Sequence, residues 1–240
     1  MAPAALAGKT AIVTGGSRGI GAAIATSLAG AGVRVAVVAR SEASLREVAE
    51  RIGGGAFAVQ CDVADPHSVT RAAGVVRDEF VGPPDILVNN AGLFHIKPIA
   101  MVTSEEFAAT IQTNLVAPFF LLREFLADMH KRGTGDIVTI GSSADRNIFP
   151  GNGAYAASKF GARAMHEVLR AETRSTGIRA MLISPAGVDT SLWDTVRFPG
   201  SDAPPDRSAM IGALTVADAV LFALMQPQEV NIDELRLSHS

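Results

Sequence analysis

Tyr155 and Lys159 are the residues whose types and spacing point most directly to chemistry. They are four positions apart in Tyr155-Ala156-Ala157-Ser158-Lys159, and Tyr155 is the only tyrosine of the 240-residue chain. Residues four apart share one face of a helix, so both side chains can point into one cleft. A neighbouring ammonium lowers the pKa of a phenol, so the spacing predicts that Lys159 makes Tyr155 a better proton donor to a carbonyl oxygen. A surface lysine beside a half-buried tyrosine would give the same pattern.

A glycine-rich turn near the N-terminus is the second candidate site. It reads Thr14-Gly15-Gly16-Ser17-Arg18-Gly19-Ile20-Gly21 and lies between a strand-like run and a helical segment. Such a turn lets the backbone approach a pyrophosphate, and the N-terminus of the helix offers free N–H groups. The spacing is G-x-x-x-G-x-G instead of the common G-x-G-x-x-G, and a purely structural turn would also use glycines.

Two arginines near this turn indicate which dinucleotide it would bind. The second strand-like run ends at Ala39 and is followed by Arg40, where a site that prefers NAD has an acidic residue. Arg18 lies inside the glycine turn. Two guanidinium groups can hold a phosphate in forked geometry, so we expect NADP(H) to be preferred. The alternative is that both are ordinary solvated arginines.

Polar residues follow several strand-like runs. Asn89-Asn90-Ala91-Gly92 follows the run 86–88, and Gly141-Ser142-Ser143 follows the run 137–140. The carboxyl ends of parallel strands form the ligand site of an open α/β sheet, so these groups are expected near one another. Asn114 lies among apolar neighbours in a long helical segment, where an unpaired amide would be costly. Each residue also has a structural explanation: a helix entry, a turn, or a satisfied core amide.

The elements that must position these residues follow from the hydrophobic pattern. Short runs rich in Val and Ile alternate with segments of helical period, which predicts a parallel sheet with helices on both faces. The fold class is therefore α/β, a Rossmann-type doubly wound sheet of about seven strands in a single domain, 1–240. Pro118 should kink or divide the helical segment 104–131. The strand-like runs are 10–14, 33–39, 56–60, 86–88, 137–140, 179–183 and 230–237, and the other helical segments are 20–29, 44–52, 69–80 and 216–225.

Composition excludes several classes of protein. The chain is 48% hydrophobic with a net charge of −3 and no run of basic residues, which argues against disorder and against a nucleic-acid partner. There is no apolar stretch long enough for a membrane span, and the N-terminus does not resemble a secretory signal. A single cysteine, Cys61, fits a reducing compartment, so we expect a cytoplasmic protein. No His/Cys cluster has metal-ligand spacing, so no metal is expected.

The ordered set of these motifs resembles the short-chain dehydrogenase/reductase family, in its single-domain branch that prefers NADP(H). The resemblance runs from Lys9 to about Leu237. The motifs that carry it are 14–21, Cys61-Asp62-Val63, 89–92, Asn114, Ser142, Tyr155 with Lys159, and 185–190.

The resemblance implies roles for these residues. Tyr155 would be the general acid-base group, and Lys159 would hold the nicotinamide ribose. Ser142, thirteen positions before the tyrosine, would polarise the substrate carbonyl. Asn114 would anchor a water in the proton relay. The residues expected to contact the cofactor are Gly15, Ser17, Arg18, Gly19, Ile20, Gly21, Arg40, Asp62, Val63, Asn89, Ala91, Gly92, Tyr155, Lys159, Pro185, Val188 and Thr190.

The chain departs from the family pattern in two places. Ala186 stands at a usual glycine position, where we expect it to shift the backbone beside the nicotinamide. Asp145 and Arg146 place charges where the family often has Ala-Gly, and we expect Arg146 to face solvent. Both differences concern the substrate and not the class of reaction.

These inferences predict an NADP(H)-dependent carbonyl reductase that also works as an alcohol dehydrogenase on a small molecule. Ser142, the loop 147–155, Phe94 with His95, and a lid over 190–212 with Trp193 and Phe198 would line a largely apolar pocket for an aldehyde, ketone or oxoacyl group. A sugar-nucleotide epimerase or dehydratase and a non-catalytic nicotinamide sensor are the alternatives. The resemblance also implies a homodimer or homotetramer formed through the helices at 104–131 and 155–176.

Overall fold

The computed structural model describes residues 6–196 and 206–240, so Phe198 and the middle of the predicted lid lie outside the described residues. The strands in this part of the chain are β1 Thr10–Thr14, β2 Arg34–Ala39, β3 Phe57–Gln60, β4 Ile86–Asn89, β5 Gly135–Ile140, β6 Ile178–Pro185, β7 Val188–Asp189, β8 Ile211–Gly212 and β9 Glu234–Leu237. The α-helices are α1 Gly19–Gly30, α2 Glu42–Ile52, α3 Pro66–Phe80, α4 Ser104–Ile111, α5 Ala117–Arg132, α6 Gly153–Glu172 and α7 Ala213–Leu224.

The main sheet confirms the predicted doubly wound fold. Its seven strands have the order β3-β2-β1-β4-β5-β6-β9 and every pair is parallel. The chain moves outward from β1 to β3 in one direction and from β4 onward in the other. Because the order reverses between β1 and β4, the loops after these strands separate and leave a crevice at their carboxyl ends.

Two hydrophobic layers cover the sheet. Along β1, Ala11 and Val13 belong to the layer formed with α1, α2 and α7, whereas Ile12 belongs to the layer formed with α3, α5 and α6. Successive side chains of a strand point to opposite faces, so a strand that contributes to both layers must be apolar throughout. This explains why the strands read as continuous Val/Ile runs without polar alternation.

The predicted break in the segment 104–131 occurs just before Pro118. Helix α4 ends at Ile111, a π-helical turn spans Gln112–Val116, and α5 begins at Ala117 with the proline in its first turn. Proline has no N–H to donate to the carbonyl of Asn114, four residues earlier, so the regular helical ladder cannot pass this point.

The segment after β6 is less open than its composition predicts. Thr190 caps a short 3₁₀ helix over Ser191–Thr195, and β7 pairs with β8 in a two-stranded parallel sheet at the base of the segment. The last strand is shorter than the predicted run 230–237 and begins at Glu234. None of the helices found in the described part of the chain combines the length and apolar character that crossing a bilayer requires.

Candidate active site

The glycine turn forms a cradle at the N-terminus of α1. Gly15 has a φ of +64°, and a Cβ built on it would lie 2.9 Å from the Cα of Ala91. A Cβ on Gly21 would lie 2.3 Å from the carbonyl oxygen of Gly15. The residue before the helix, Arg18, makes no side-chain cap, and the first turn contains no acidic residue. The N–H groups at this end therefore have no capping side chain, which fits the phosphates of a dinucleotide.

Thr14 and Asn90 were not among the predicted site residues, but their hydrogen bonds hold this turn in place. The Thr14 hydroxyl accepts hydrogen bonds from the backbone N–H groups of Asn90 and Ala91, at 2.9 and 3.1 Å, and donates one to the carbonyl of Val88. The side-chain amide of Asn90 donates to the carbonyl of Thr14 at 2.8 Å. These bonds connect the ends of β1 and β4 across the crevice. Both residues lay within the predicted motifs, but only the strand order shows that they face each other.

The arginines predicted to select NADP(H) are both exposed. Among the described residues, neither Arg18 nor Arg40 has an ion-pair partner. The backbone carbonyl of Arg40 accepts a hydrogen bond from Gln60 at 3.0 Å, which fixes the end of β2. The Asp62 carboxylate accepts a hydrogen bond from the backbone N–H of Ala64, and the backbone N–H of Asp62 donates one to the Ser68 hydroxyl. That the two guanidinium groups hold one phosphate stays a prediction.

Thr190, at the other end of the predicted cofactor site, packs against the same glycine turn. A Cβ on Gly19, whose φ is +55°, would lie 3.3 Å from the side chain of Thr190. Val188 is buried in β7, and Pro185 ends β6 beside the last strand. The N–H of Ala186 donates to the carbonyl of Leu237 at 2.8 Å. Ala186 has no positive φ, so an alanine adopts its backbone conformation without strain, and the shift of the backbone beside the nicotinamide stays a prediction.

Tyr155 lies in the first turn of α6 with the Ser142 side chain at its phenol. Burial raises the pKa of Tyr155 above its ordinary value, while hydrogen bonding with Ser142 lowers it and the charge of Asp145 raises it. The predicted lowering by Lys159 is not found: the pKa of Tyr155 is shifted by burial, Ser142 and Asp145, and the Lys159 ammonium is bound to the carbonyl of Ile140. Tyr155 is consequently a neutral phenol at neutral pH, which is the form that donates a proton.

Lys159 is buried beneath Tyr155. Its ammonium donates to the carbonyl of Ile140 at 2.9 Å and lies 5.7 Å from the centre of the Tyr155 ring. Burial lowers the pKa of Lys159 to about 8, and the negative charge of Asp145 acts in the opposite direction. The lysine therefore carries its charge at neutral pH but loses it at moderately alkaline pH.

The side chain of Asn114 is fully engaged with protein groups. Its carbonyl oxygen accepts from the N–H of Leu93 at 2.7 Å, and its amide donates to the Leu93 carbonyl and to the Ser158 hydroxyl. The π-helical turn thereby joins the loop after β4 to α6. By contrast, the side-chain amide of Asn89 is buried with no protein partner. That Asn114 anchors a water in a proton relay stays a prediction.

Aromatic side chains pack around Tyr155. The Phe94 ring meets the Tyr155 ring edge to face at 4.7 Å between centroids, and it meets the Trp193 ring at 5.1 Å. The indole N–H of Trp193 donates to the carbonyl of Val188 at 2.9 Å, which fixes the ring in this position. His95 lies near Glu106 of α4 and helps to lower the pKa of that carboxyl.

The prediction that Arg146 faces solvent is wrong. Its guanidinium forms ion pairs with Asp145 and with Glu234 of β9, and 19% of its side chain is exposed. Asp145 and Arg146 stood out in the sequence as charges where the family often has Ala-Gly. Ser184 was missed, because only the packing of β6 brings its hydroxyl to the Asp145 carboxylate.

The sequence model of the short chain dehydrogenase family matches residues 9–198. The chain belongs to the short-chain dehydrogenase family. D-threitol dehydrogenase of Mycolicibacterium smegmatis is 36% identical over 243 residues, covering 95% of this chain and 92% of that protein. An alcohol dehydrogenase of Thermococcus sibiricus complexed with 5-hydroxy-NADP has a TM-score of 0.85 and 31% identity, with 96% of each chain covered. Glycine betaine reductase ATRR of Emericella nidulans is 35% identical over 239 residues, but this chain spans only 18% of its length.

This short-chain dehydrogenase is thus an oxidoreductase, and its candidate site has two halves at the carboxyl edge of the sheet. The phosphate turn follows β1, and the Ser142–Tyr155 pair lies between β5 and α6. Among residues 6–196 and 206–240, no three His, Cys, Asp or Glu side chains are grouped so that they could hold a metal ion.

Proposed function

We propose that this protein is an NADP(H)-dependent carbonyl reductase that also oxidises the corresponding alcohol, with Tyr155 as the general acid-base group. The observation that carries the proposal is the contact of Ser142 with the phenol of Tyr155 beside the charged Lys159. NADPH, when bound, supplies the hydride. The glycine cradle fits its pyrophosphate, and Arg18 and Arg40 fit its 2′-phosphate.

The protein side of the reaction follows from the site geometry. The Ser142 hydroxyl orients and polarises the carbonyl oxygen, and the Tyr155 hydroxyl donates its proton to that oxygen as negative charge develops there. Lys159, buried beneath Tyr155, would hold the nicotinamide ribose. In the oxidative direction the Tyr155 phenolate accepts the proton of the alcohol. Phe94 and Trp193 exclude water and favour an apolar group next to the carbonyl.

The substrate class is a small or medium aldehyde, ketone or oxoacyl compound. The D-threitol dehydrogenase, the alcohol dehydrogenase and the betaine reductase named above differ in substrate, so their names do not select one compound. The aromatic wall is the feature of this chain that favours apolar substituents over polyanions.

A panel of carbonyl compounds with NADPH tests this proposal. We expect at least one to be reduced, and Tyr155→Phe to lower kcat about 100-fold to 10,000-fold with cofactor affinity retained. Ser142→Ala should also lower kcat, whereas the matched variant Ser143→Ala should remain near wild type because no side-chain bond of Ser143 reaches the phenol. Unchanged turnover in Tyr155→Phe would refute the mechanism. Cofactor binding without turnover of any compound would favour the non-catalytic sensor.

We also propose that the protein is a homo-oligomer that works in the cytoplasm. Large apolar side chains are exposed on three neighbouring helices: Phe107 on α4, Phe119 on α5, and Phe160 with Val168 on α6. A second copy covering this surface would remove it from water. Light scattering at micromolar concentration should give a dimer or tetramer mass, and a monomer mass would refute the assembly.

A further inference from the structure

Asp145 is a charged residue buried within the catalytic site. It ends the 3₁₀ turn that begins after Ser142, and its exposed fraction is 0%. An isolated carboxylate would not be tolerated there, because removing its charge from water costs several kcal/mol. Its carboxylate accepts a hydrogen bond from the Ser184 hydroxyl at 3.1 Å and one from the Arg146 guanidinium at 2.7 Å. These partners lie on β6 and on the catalytic turn itself.

Asp145 shares its arginine with a second carboxylate. Arg146 pairs with Asp145 on one side and with Glu234 of β9 on the other. Glu234 also lies in the field of Arg170 of α6, so a second positive charge acts on that side of the cluster. On the other side, the charge of Asp145 acts on the buried ammonium of Lys159 and on the phenol of Tyr155.

Gly141 permits this close approach. A Cβ on Gly141 would lie 2.8 Å from the Ser184 hydroxyl and 3.4 Å from a carboxylate oxygen of Asp145. The carboxylate is thus packed against the backbone between Ile140, whose carbonyl binds Lys159, and Ser142, which contacts Tyr155. The Asp145 carboxylate therefore lies next to the two groups that hold Lys159 and Tyr155 in place.

We propose that Asp145 is a positioning residue whose buried carboxylate fixes the Ser142 turn to the end of β6 through Ser184 and places a negative charge beside Lys159 and Tyr155. The proposal rests on the assignment of Tyr155 and Lys159 as the catalytic pair. A nearby negative charge favours the protonated form of every neighbouring group. Carbonyl reduction requires both groups in that form, so Asp145 extends the reductive reaction to higher pH.

Because Tyr155 is the only tyrosine in the chain, the near-ultraviolet absorbance of its phenolate reports this residue alone. We would titrate the cofactor-free protein with base and compare Asp145→Asn with wild type. The variant keeps the shape of the side chain and removes its charge. We expect its phenolate to form at a pH lower by about one unit or more.

Ser184→Ala is the matched control, since it removes the same hydrogen bond and leaves the charge in place. It should titrate like the wild type. Equal shifts in Ser184→Ala and Asp145→Asn, or no shift in a folded Asp145→Asn, would overturn the proposal. Circular dichroism establishes that each variant is folded.

Arg146→Gln provides a test in the opposite direction if Asp145→Asn does not fold. It removes the positive charge between the two carboxylates, so the phenolate should form at higher pH than in wild type. An unchanged or lower titration would contradict the proposal. The titration needs neither substrate nor turnover, so an inactive protein with these shifts would refute the proposed function alone, and an active one without them would refute only the role of Asp145.

Discussion

At the residue scale, the surroundings of each side chain decide what it can do. Tyr155 and Lys159 have the spacing expected for a catalytic pair, but burial raises the pKa of the phenol and lowers that of the ammonium to about 8. Arg18, Arg40 and Arg146 are of one type, yet the first two are exposed and Arg146 is held between two carboxylates. Only an arginine without a partner can bind an external phosphate.

Arg40→Ala should weaken NADPH binding about 10-fold to 100-fold, because hydrogen bonds to a charged group contribute about 1.5–3 kcal/mol. The affinity for NADH, which lacks the 2′-phosphate, should stay within about twofold of wild type. Nicotinamide fluorescence titrations measure both constants.

Arg51→Ala is the control for this substitution, because Arg51 is an exposed arginine at the far end of α2. Its affinity for both cofactors should match the wild type. A wild-type preference for NADH would show that the arginines do not select the cofactor.

At the element scale, the start of α1 and the π-helical turn carry the site. Helix α1 is apolar on most of its surface and consists largely of small residues, so it can pack closely on the sheet. Its N-terminus carries no capping side chain. Gly21 begins this packing, and Gly30 ends the helix in open space. The structure therefore excludes a side chain at Gly21 and leaves room for one at Gly30.

Gly21→Ala should lower the free energy of unfolding by about 1–3 kcal/mol and weaken NADPH binding, because the added methyl group meets the Gly15 carbonyl and the Asn90 amide. Gly30→Ala should leave binding unchanged and stabilise the fold by up to about 1 kcal/mol, since alanine restricts the unfolded chain. Urea unfolding and cofactor titration measure the two effects. Equal behaviour of the two variants would contradict the cradle.

At the scale of the whole molecule, Arg179 joins the C-terminal segment to the centre of the sheet. It is 3% exposed in β6, and its guanidinium binds Asp136 of β5 at 2.7 Å. The same group donates to the carbonyls of Leu224 and Gln226, each at 2.9 Å, where α7 ends. Segments far apart in sequence are thus held around one buried charge.

Arg179→Met should reduce the free energy of unfolding by about 3–5 kcal/mol, because it leaves the buried Asp136 without its closest partner and several carbonyls without donors. Arg46→Met is the matched control. It breaks an exposed pair with Glu42 on α2 and should cost at most about 1 kcal/mol. The midpoints of urea unfolding measure both. A small loss in Arg179→Met would show that Lys9, which also reaches Asp136 at 3.2 Å, compensates the charge.

Local patterns in the sequence were sufficient for much of this protein. The continuous apolar runs predicted the parallel strands, since a strand covered on both faces has no polar side. The glycine turn, Ser142, and the Tyr155/Lys159 spacing predicted where the site lies, because loops after parallel strands meet at one edge. Pro118 predicted the break before α5, because a missing N–H is a local property of the chain.

Only the tertiary structure decided the electrostatics of the site. Thr14 with Asn90, and Asp145 with Ser184, meet through strand pairing that brings residues 39 to 76 positions apart into contact. The pKa values of Tyr155 and Lys159 depend on burial by the whole fold and on a charge from another element. Arg146 reaches Glu234 because β9 lies at the edge of the sheet beside β6. Periodicity shows which face of an element is apolar, whereas the charge that faces a given group depends on which elements pack together.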